Sequence, residues 1–170
     1  MADRSQGESA LVHFNERLTN SAAFGTLFRE GMDLVEETAA YLDGAGRIEA
    51  KALDRAVSLT YATESMRLTT RLMQLASWLL LHRAVKEGEM TLTQANREKT
   101  KVKLSAADPG PDDMITKLPQ QLQDLIARSM SLQLKVRRLD STIHAPVAET
   151  TTIGNPLVPQ LNRLKAAFEQ

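Results

Sequence analysis

The sequence contains no cysteine, so neither a disulfide bond nor thiolate chemistry is available to it. It is also poor in aromatic residues, which make up 4% of the chain and include a single tryptophan. Leucine, alanine and methionine must therefore supply most of the core. With only 8 glycines among 170 residues, this composition favours helices over strands, and we expect an all-α protein.

Long apolar runs are missing as well. The uncharged block Leu72–Leu81 is about half of the ~20 residues that a membrane-spanning helix needs. The first ten residues, MADRSQGESA, are polar and lack the apolar stretch of a signal peptide. We therefore expect a cytoplasmic protein without membrane insertion.

No excess of one charge is present, because 21 basic residues balance 21 acidic ones. Nucleic-acid-binding proteins usually carry a basic stripe, and the nearest feature here is the short cluster Asn96–Lys103. We interpret this cluster as a solvated surface and do not expect nucleic-acid binding.

A catalytic constellation is also absent from the sequence. His13, His82 and His144 lie in different elements, and none has a second metal ligand three or four residues away. There is no glycine-rich phosphate loop and no nucleophile elbow. We expect no catalytic residue, no metal, no cofactor and no enzymatic activity.

Three long helices are predicted from apolar periodicity. The first begins near Asn20 or Ser21 and ends at Gly44 and Gly46, and Gly31 on its apolar side indicates close approach of another helix. The second runs from about Ala50 to Val85, with Gly88 as its stop. A short helix follows, with Thr91 and Gln94 at capping-box spacing. The third begins near Pro119, and its two apolar tracks are Leu118, Leu125, Leu132 and Leu139, and Leu122, Ser129, Val136 and Ile143.

These elements predict an antiparallel three-helix bundle over residues 21–143, with a long central second helix. Residues 1–20 form a flexible N-terminal segment in this prediction. Residues 144–170, which contain prolines and a threonine run, form a flexible C-terminal tail.

The second helix carries an unusually wide apolar arc in helical projection, about 200° against ~100° for a surface helix. We expect this arc to be buried between two neighbours or shared with a second copy of the chain in a homodimer. Its members are Met66, Met73 and Leu80 at one edge, Ala62, Ser65, Thr69 and Ala76 in the middle, and Leu68, Leu72, Leu75 and Leu79 at the other edge.

The remaining side of this helix forms a ladder of polar and aromatic residues. Its members are Glu64, Arg67, Arg71, Gln74, Trp78 and His82. Because Trp and Arg are enriched among binding hot spots, we interpret the ladder as an exposed partner-binding face. The alternative is that residues 88–118 of the same chain cover Trp78.

A second candidate contact lies in the tail. Leu157, Leu161, Leu164 and Phe168 have the spacing of one helical face, as in short peptides that dock on a partner. The alternative is a terminal helix that folds back on the core.

The segments EGMDLVEETAAYLDGAGR (Glu30–Arg47), YATESMRLTTRLMQLASWLLLHRAVKEGE (Tyr61–Glu89) and Ser129–Leu139 resemble the alphaproteobacterial regulator of CtrA degradation (RcdA) family. The resemblance covers roughly residues 21–143. It implies a three-helix bundle, usually dimeric, and a position in the cytoplasm that includes the cell pole.

The resemblance also implies a function. Members of this family act as non-enzymatic adaptors in regulated proteolysis, tethering cell-cycle regulators such as transcription factors to a Clp-type AAA+ protease, ClpXP, together with a response-regulator primer. The alternative from the residues is a DNA-associated helical dimer, a transcriptional or nucleoid factor, that uses Asn96–Lys103 and Arg137–Arg138 on phosphates. A further alternative is an enzyme site around His82 and Glu89, but nothing in the sequence suggests a substrate for it.

Overall fold

The computed structural model describes residues 22–99 and 112–143, and within these residues it contains six α-helices and no strand. The helices are α1 (Ala22–Asp43), α2 (Ala45–Lys51), α3 (Arg55–Lys86), α4 (Leu92–Lys99), α5 (Asp112–Ile115) and α6 (Gln120–Ile143). The three long ones are α1, α3 and α6, so the predicted all-α bundle is confirmed. The predicted N-terminal segment and C-terminal tail lie outside the described residues.

Helix α1 packs closely against the other two long helices at Gly31. A Cβ atom at this position would collide with the side chain of Leu79 and touch that of Leu132, so the predicted close approach is confirmed. Gly44 ends α1, as expected, but Gly46 lies inside α2 and does not end a helix. Gly46 is buried there, and no side chain fits at this position, since a Cβ atom would lie 2.5 Å from the Tyr61 hydroxyl.

Helix α3 begins five residues later than the sequence suggested. Asp54 is its N-cap, and the Asp54 carboxylate accepts a hydrogen bond of 3.0 Å from the backbone N–H of Val57. The helix ends at Lys86, followed by Gly88 with a φ of 75°, which confirms the predicted stop. Its 32 residues span about 48 Å.

The predicted short helix after α3 is confirmed as α4, with its capping box. The backbone N–H of Thr91 donates to Gln94 Oε1 at 2.9 Å, and the backbone N–H of Gln94 donates to Thr91 Oγ1 at 3.2 Å. Ala95 of α4 is 1% exposed, which fixes this helix against the bundle.

Helix α6 presents both predicted tracks to the core. Leu118, Leu122, Leu125, Ser129, Leu132, Val136 and Ile143 are all buried, and Leu139 is partly buried against them. The seam is therefore confirmed, including the polar residue Ser129.

The contacts between helices fix their directions. Lys135 Nζ lies 2.8 Å from Glu30, and Arg128 Nη1 lies 2.6 Å from Glu37, so residue numbers rise along α1 as they fall along α6. Arg83 of α3 lies 4.9 Å from the Phe28 ring of α1, and Gly31 of α1 lies against Leu79 of α3, so this pair of helices is antiparallel as well.

The third pair of long helices is parallel. Arg71 of α3 contacts Ser129 of α6, and Trp78 contacts Asp140, so both residue numbers rise together. Helix α1 is therefore antiparallel to both of its neighbours. The N-terminus of α1 and the C-termini of α3 and α6 consequently share one end of the bundle.

A charge in the core of α3 should unfold the bundle. Leu75 is 1% exposed, and Leu75→Asp should lower the free energy of unfolding by several kcal/mol because a carboxylate there loses its hydration and replaces an apolar side chain of the core. Urea denaturation followed by circular dichroism measures the change.

The matched control is Leu134→Asp on α6, where the leucine is 57% exposed and the change should cost less than about 1 kcal/mol. Equal stability losses in the two variants would show that α3 is not the central helix.

Candidate partner-binding surface

The predicted ladder of α3 faces the interior of the bundle. Glu64, Arg71, Trp78 and His82 are 2%, 3%, 1% and 0% exposed, while Arg67 and Gln74 are partly buried. The expectation of an exposed polar face is therefore wrong. One cause is that α6 supplies hydrogen-bonding partners for Arg71 and Trp78, while Glu64 and His82 find partners on α3 itself.

Arg71 is buried because α6 offers it an acceptor. Its Nη1 donates to Ser129 Oγ at 2.8 Å, and Ser129 Oγ in turn donates to the carbonyl of Ile126 at 2.7 Å. On α3 itself, Arg67 forms an ion pair with the buried carboxylate of Glu64. These bonds stabilise the charged side chains of Arg71 and Glu64 in the interior of the bundle. Without them, burial of either charge would cost several kcal/mol of folding free energy.

The electrostatics of Arg71 follow from this position. Burial lowers the pKa of Arg71, and the nearby Glu64 carboxylate opposes that shift. The Glu64 carboxylate therefore favours the charged form of Arg71 inside the bundle, which is a structural role.

Trp78 is covered by its own chain. Its Nε1–H donates to Asp140 Oδ1 of α6 at 2.8 Å, its ring lies 6.4 Å from that of Phe24, and His82 stacks on it at 3.9 Å. Lys99 Nζ of α4 lies 2.6 Å from the same Asp140 carboxylate. Trp78 is thus buried by its own chain, as the alternative held, but the contacts that cover the ring come from α1 and α6 rather than from residues 88–118.

No contact in the structure tests whether a ladder residue binds a partner, so that role stays a prediction. A partner could reach Glu64, Arg71, Trp78 and His82 only if the bundle opened. The second predicted set, Leu157, Leu161, Leu164 and Phe168, lies outside the described residues, and its docking role also stays a prediction.

The exposed side of α3 is apolar. Leu59, Met66, Met73 and Leu80 are 71%, 72%, 66% and 52% exposed, and they recur every seven residues, which places them in one line. We call these four residues the outer stripe. Only the opposite edge of the arc lies in the core of the chain: Leu68, Leu72, Leu75 and Leu79. The expectation that neighbouring helices of the same chain bury Met66, Met73 and Leu80 is therefore wrong, and burial against a second copy stays a prediction.

Small residues accompany the outer stripe. Ala62, Thr69 and Ala76 follow it at steps of three and four, which is the spacing of a coiled-coil seam. Thr69 Oγ1 donates to the carbonyl of Ser65 at 2.8 Å, so its methyl group remains for contact with a partner. Another helix could therefore approach the α3 backbone closely along this line.

An apolar groove lies beside the stripe, between α1 and α3. Its volume is about 250 Å³, and its lining consists of Val35, Thr38, Ala39, Leu42, Thr69, Leu72, Met73 and Ala76. A shallower depression of about 300 Å³ surrounds Met66 and is lined by Thr63, Arg67 and Thr70. Stripe, groove and depression form one continuous surface centred on α3.

Two tyrosines occupy the other end of the bundle. The Tyr41 hydroxyl donates to Glu49 Oε2 at 2.7 Å, and burial together with this carboxylate raises the pKa of Tyr41. Burial also raises the pKa of Tyr61. Both phenols therefore stay protonated at neutral pH and act in packing.

Other chemistries find little support in the part of the chain that the structure describes. It holds no group of three His, Asp or Glu side chains arranged for a metal ion. None of its helices combines the length and hydropathy needed to cross a bilayer. Within the basic cluster, Lys99 is engaged by Asp140, while residues 100–103 are not described. The DNA-binding alternative stays a prediction.

The outer stripe had a signal in the sequence. Met66, Met73 and Leu80 lie close together in helical projection, and the sequence alone left open whether neighbouring helices or a second copy would cover them. The seven-residue recurrence from Leu59 onwards is typical of a helix-pairing seam rather than of a bundle core.

Removing Trp78 should destabilise the protein as a core change does. We expect Trp78→Ala to lower the free energy of unfolding by about 3–5 kcal/mol, and Trp78→Phe by about 1–3 kcal/mol through the lost bond to Asp140. Circular dichroism is the appropriate probe, because the chain has no other tryptophan. The control is Leu59→Ala, and an equal effect there would contradict the burial of Trp78.

The chain matches the family model described as "Protein of unknown function (DUF1465)" over residues 15–168. No curated protein matches it significantly. Among solved structures, it is similar to RcdA from Caulobacter crescentus CB15, with 49% sequence identity and a TM-score of 0.64. That alignment covers 77% of this chain and 98% of the RcdA chain. The chain therefore belongs to the regulator of CtrA degradation (RcdA) family.

Proposed function

We propose that this protein is a non-enzymatic adaptor in regulated proteolysis, which tethers cell-cycle regulators to the Clp-type AAA+ protease ClpXP in the cytoplasm. The observation that carries the proposal is the 49% identity with RcdA over 98% of that chain. The partners are the protease with its response-regulator primer, and cargo such as transcription factors.

The burial of His82 supports a non-enzymatic role. Within the described residues, this imidazole is 0% exposed and stacks on Trp78, where no substrate can reach it. The other chemically capable groups, Arg71 and Tyr41, are occupied in structural hydrogen bonds. The exposed features of the bundle are suited to binding rather than to catalysis.

An adaptor needs at least two weak contacts on one small body. Tethering through two contacts can multiply avidity by ~10²–10⁴ without any strong single contact. The outer stripe of α3 supplies one surface, and the tail set Leu157, Leu161, Leu164 and Phe168 supplies the other. The tail is attached after Ile143, so the two surfaces are separable.

Self-association through the outer stripe is part of the proposal. Four large apolar side chains, each more than half exposed, form a continuous patch that a soluble monomer rarely leaves uncovered. The same face on a second copy is self-complementary under two-fold symmetry. The accompanying small residues, Ala62, Thr69 and Ala76, would let the two α3 helices approach closely.

Charges on the outer stripe should prevent this dimer. Light scattering at micromolar concentration should give about twice the 18.8 kDa chain mass for the wild type and a single chain mass for the Met66→Glu, Met73→Glu double variant. Leu134→Glu, also exposed but on α6, is the control and should stay dimeric. A wild type that is monomeric at high concentration, or a double variant that remains dimeric, contradicts the proposed interface.

Delivery of cargo to the protease should depend on the C-terminal tail, residues 144–170. In a reconstituted assay with ClpXP, the response-regulator primer and a cell-cycle transcription factor, the protein should accelerate degradation of the cargo. Leu161→Ser with Leu164→Ser should slow delivery by about tenfold or more, because one tether is lost. Thr151→Ala with Thr152→Ala, in the same tail, should not. Equal degradation with and without the protein would exclude the adaptor function.

A further inference from the structure

An apolar groove stays open between α1 and α3 on the surface of the described bundle. Ion pairs of Glu30 with Lys135 and of Glu37 with Arg128 close the contact between α1 and α6. No described ion pair crosses from α1 to α3 beside the groove. About 250 Å³ of apolar space is left there on the surface of the bundle.

We infer that this groove is a docking site for the C-terminal segment of the same chain, residues 157–168. Leu157, Leu161, Leu164 and Phe168 recur at steps of four, three and four, so they share one face if the segment is helical. A helix carrying that face inward would cover the apolar lining that α1 and α3 leave exposed. Its basic residue Lys165 flanks the apolar face, and the exposed Glu36 lies next to Val35 on the rim.

The chain is long enough to reach the groove. Helix α6 ends at Ile143, at the same end of the bundle as Trp78, and the groove begins nearby at Ala76. The 13 residues 144–156 can span up to about 43 Å, whereas a helix is only about 10–12 Å across. The segment can therefore pass around the bundle and lie along α1 and α3.

Covalent attachment favours this occupant over a separate molecule. A connection of 13 residues can give the segment an effective concentration in the millimolar range, above the micromolar concentration of a separate molecule. A weak apolar contact is then sufficient to hold the segment in place.

The docked segment would regulate the binding of a partner to the tail. Only Met73 belongs to both the groove lining and the outer stripe, so Leu59, Met66 and Leu80 stay available to a second copy while the groove is occupied. The apolar face of the segment, by contrast, would be hidden from a partner until the segment is released. This consequence rests on the proposed function, whereas the docking itself does not.

Disulfide cross-linking within the full chain tests the docking directly, because the protein has no native cysteine. Ala39→Cys on the groove is combined with Ala167→Cys in the segment. The control pair is Ala127→Cys, also exposed but on α6, with Ala167→Cys. At about 1 μM protein, the groove pair should form an intrachain disulfide about tenfold faster than the control pair. Equal rates, or products that are only interchain, overturn the proposal.

A second substitution shows whether the apolar face makes the contact. Leu164→Glu added to the groove pair should abolish its rate advantage, while Asn162→Glu, which points away from that face, should leave it intact. An advantage that survives Leu164→Glu overturns the proposal. The assay contains no protease and no cargo, so its failure is distinct from failure of the adaptor function.

Discussion

The buried guanidinium of Arg71 determines how the long helix α3 is oriented. A charge in the interior needs a hydrogen-bonding partner, and α6 provides one in Ser129 while α3 itself provides the Glu64 carboxylate nearby. About two turns further along, Trp78 reaches Asp140 of α6. These two bonds hold one side of α3 against α6 and set the parallel register of the two helices.

The orientation of α3 has a consequence on its opposite side. Helix α3 carries apolar residues on two sides, and the polar bonds commit only one of them to the core. Leu59, Met66, Met73 and Leu80 are therefore turned outwards, although their side chains would suit an interior. The bundle gains its stability from one side of α3, and the other side remains available for a partner, a second copy or the segment that follows α6.

Local features of the fold could be predicted because local residues determine them. The capping box of Thr91 and Gln94, the turn at Gly88 and the apolar seam of α6 each depend on a few neighbouring residues. The orientation of α3 could not be predicted in this way, because it depends on whether charged residues find partners on another helix. Ser129 was the one indication in the sequence, because a hydroxyl within an apolar seam is a potential hydrogen-bonding partner for a buried arginine of another helix.

A double-mutant cycle on Arg71 and Ser129 tests this account most directly. The variants Arg71→Met, Ser129→Ala and their combination are compared with the wild type by urea denaturation. Since the two side chains are bonded at 2.8 Å in the interior, we predict that their effects on the free energy of unfolding are non-additive, with a coupling of about 0.5–3 kcal/mol. Additive effects within about 0.3 kcal/mol would show that Arg71 does not face α6 and that the outer stripe is not fixed outwards.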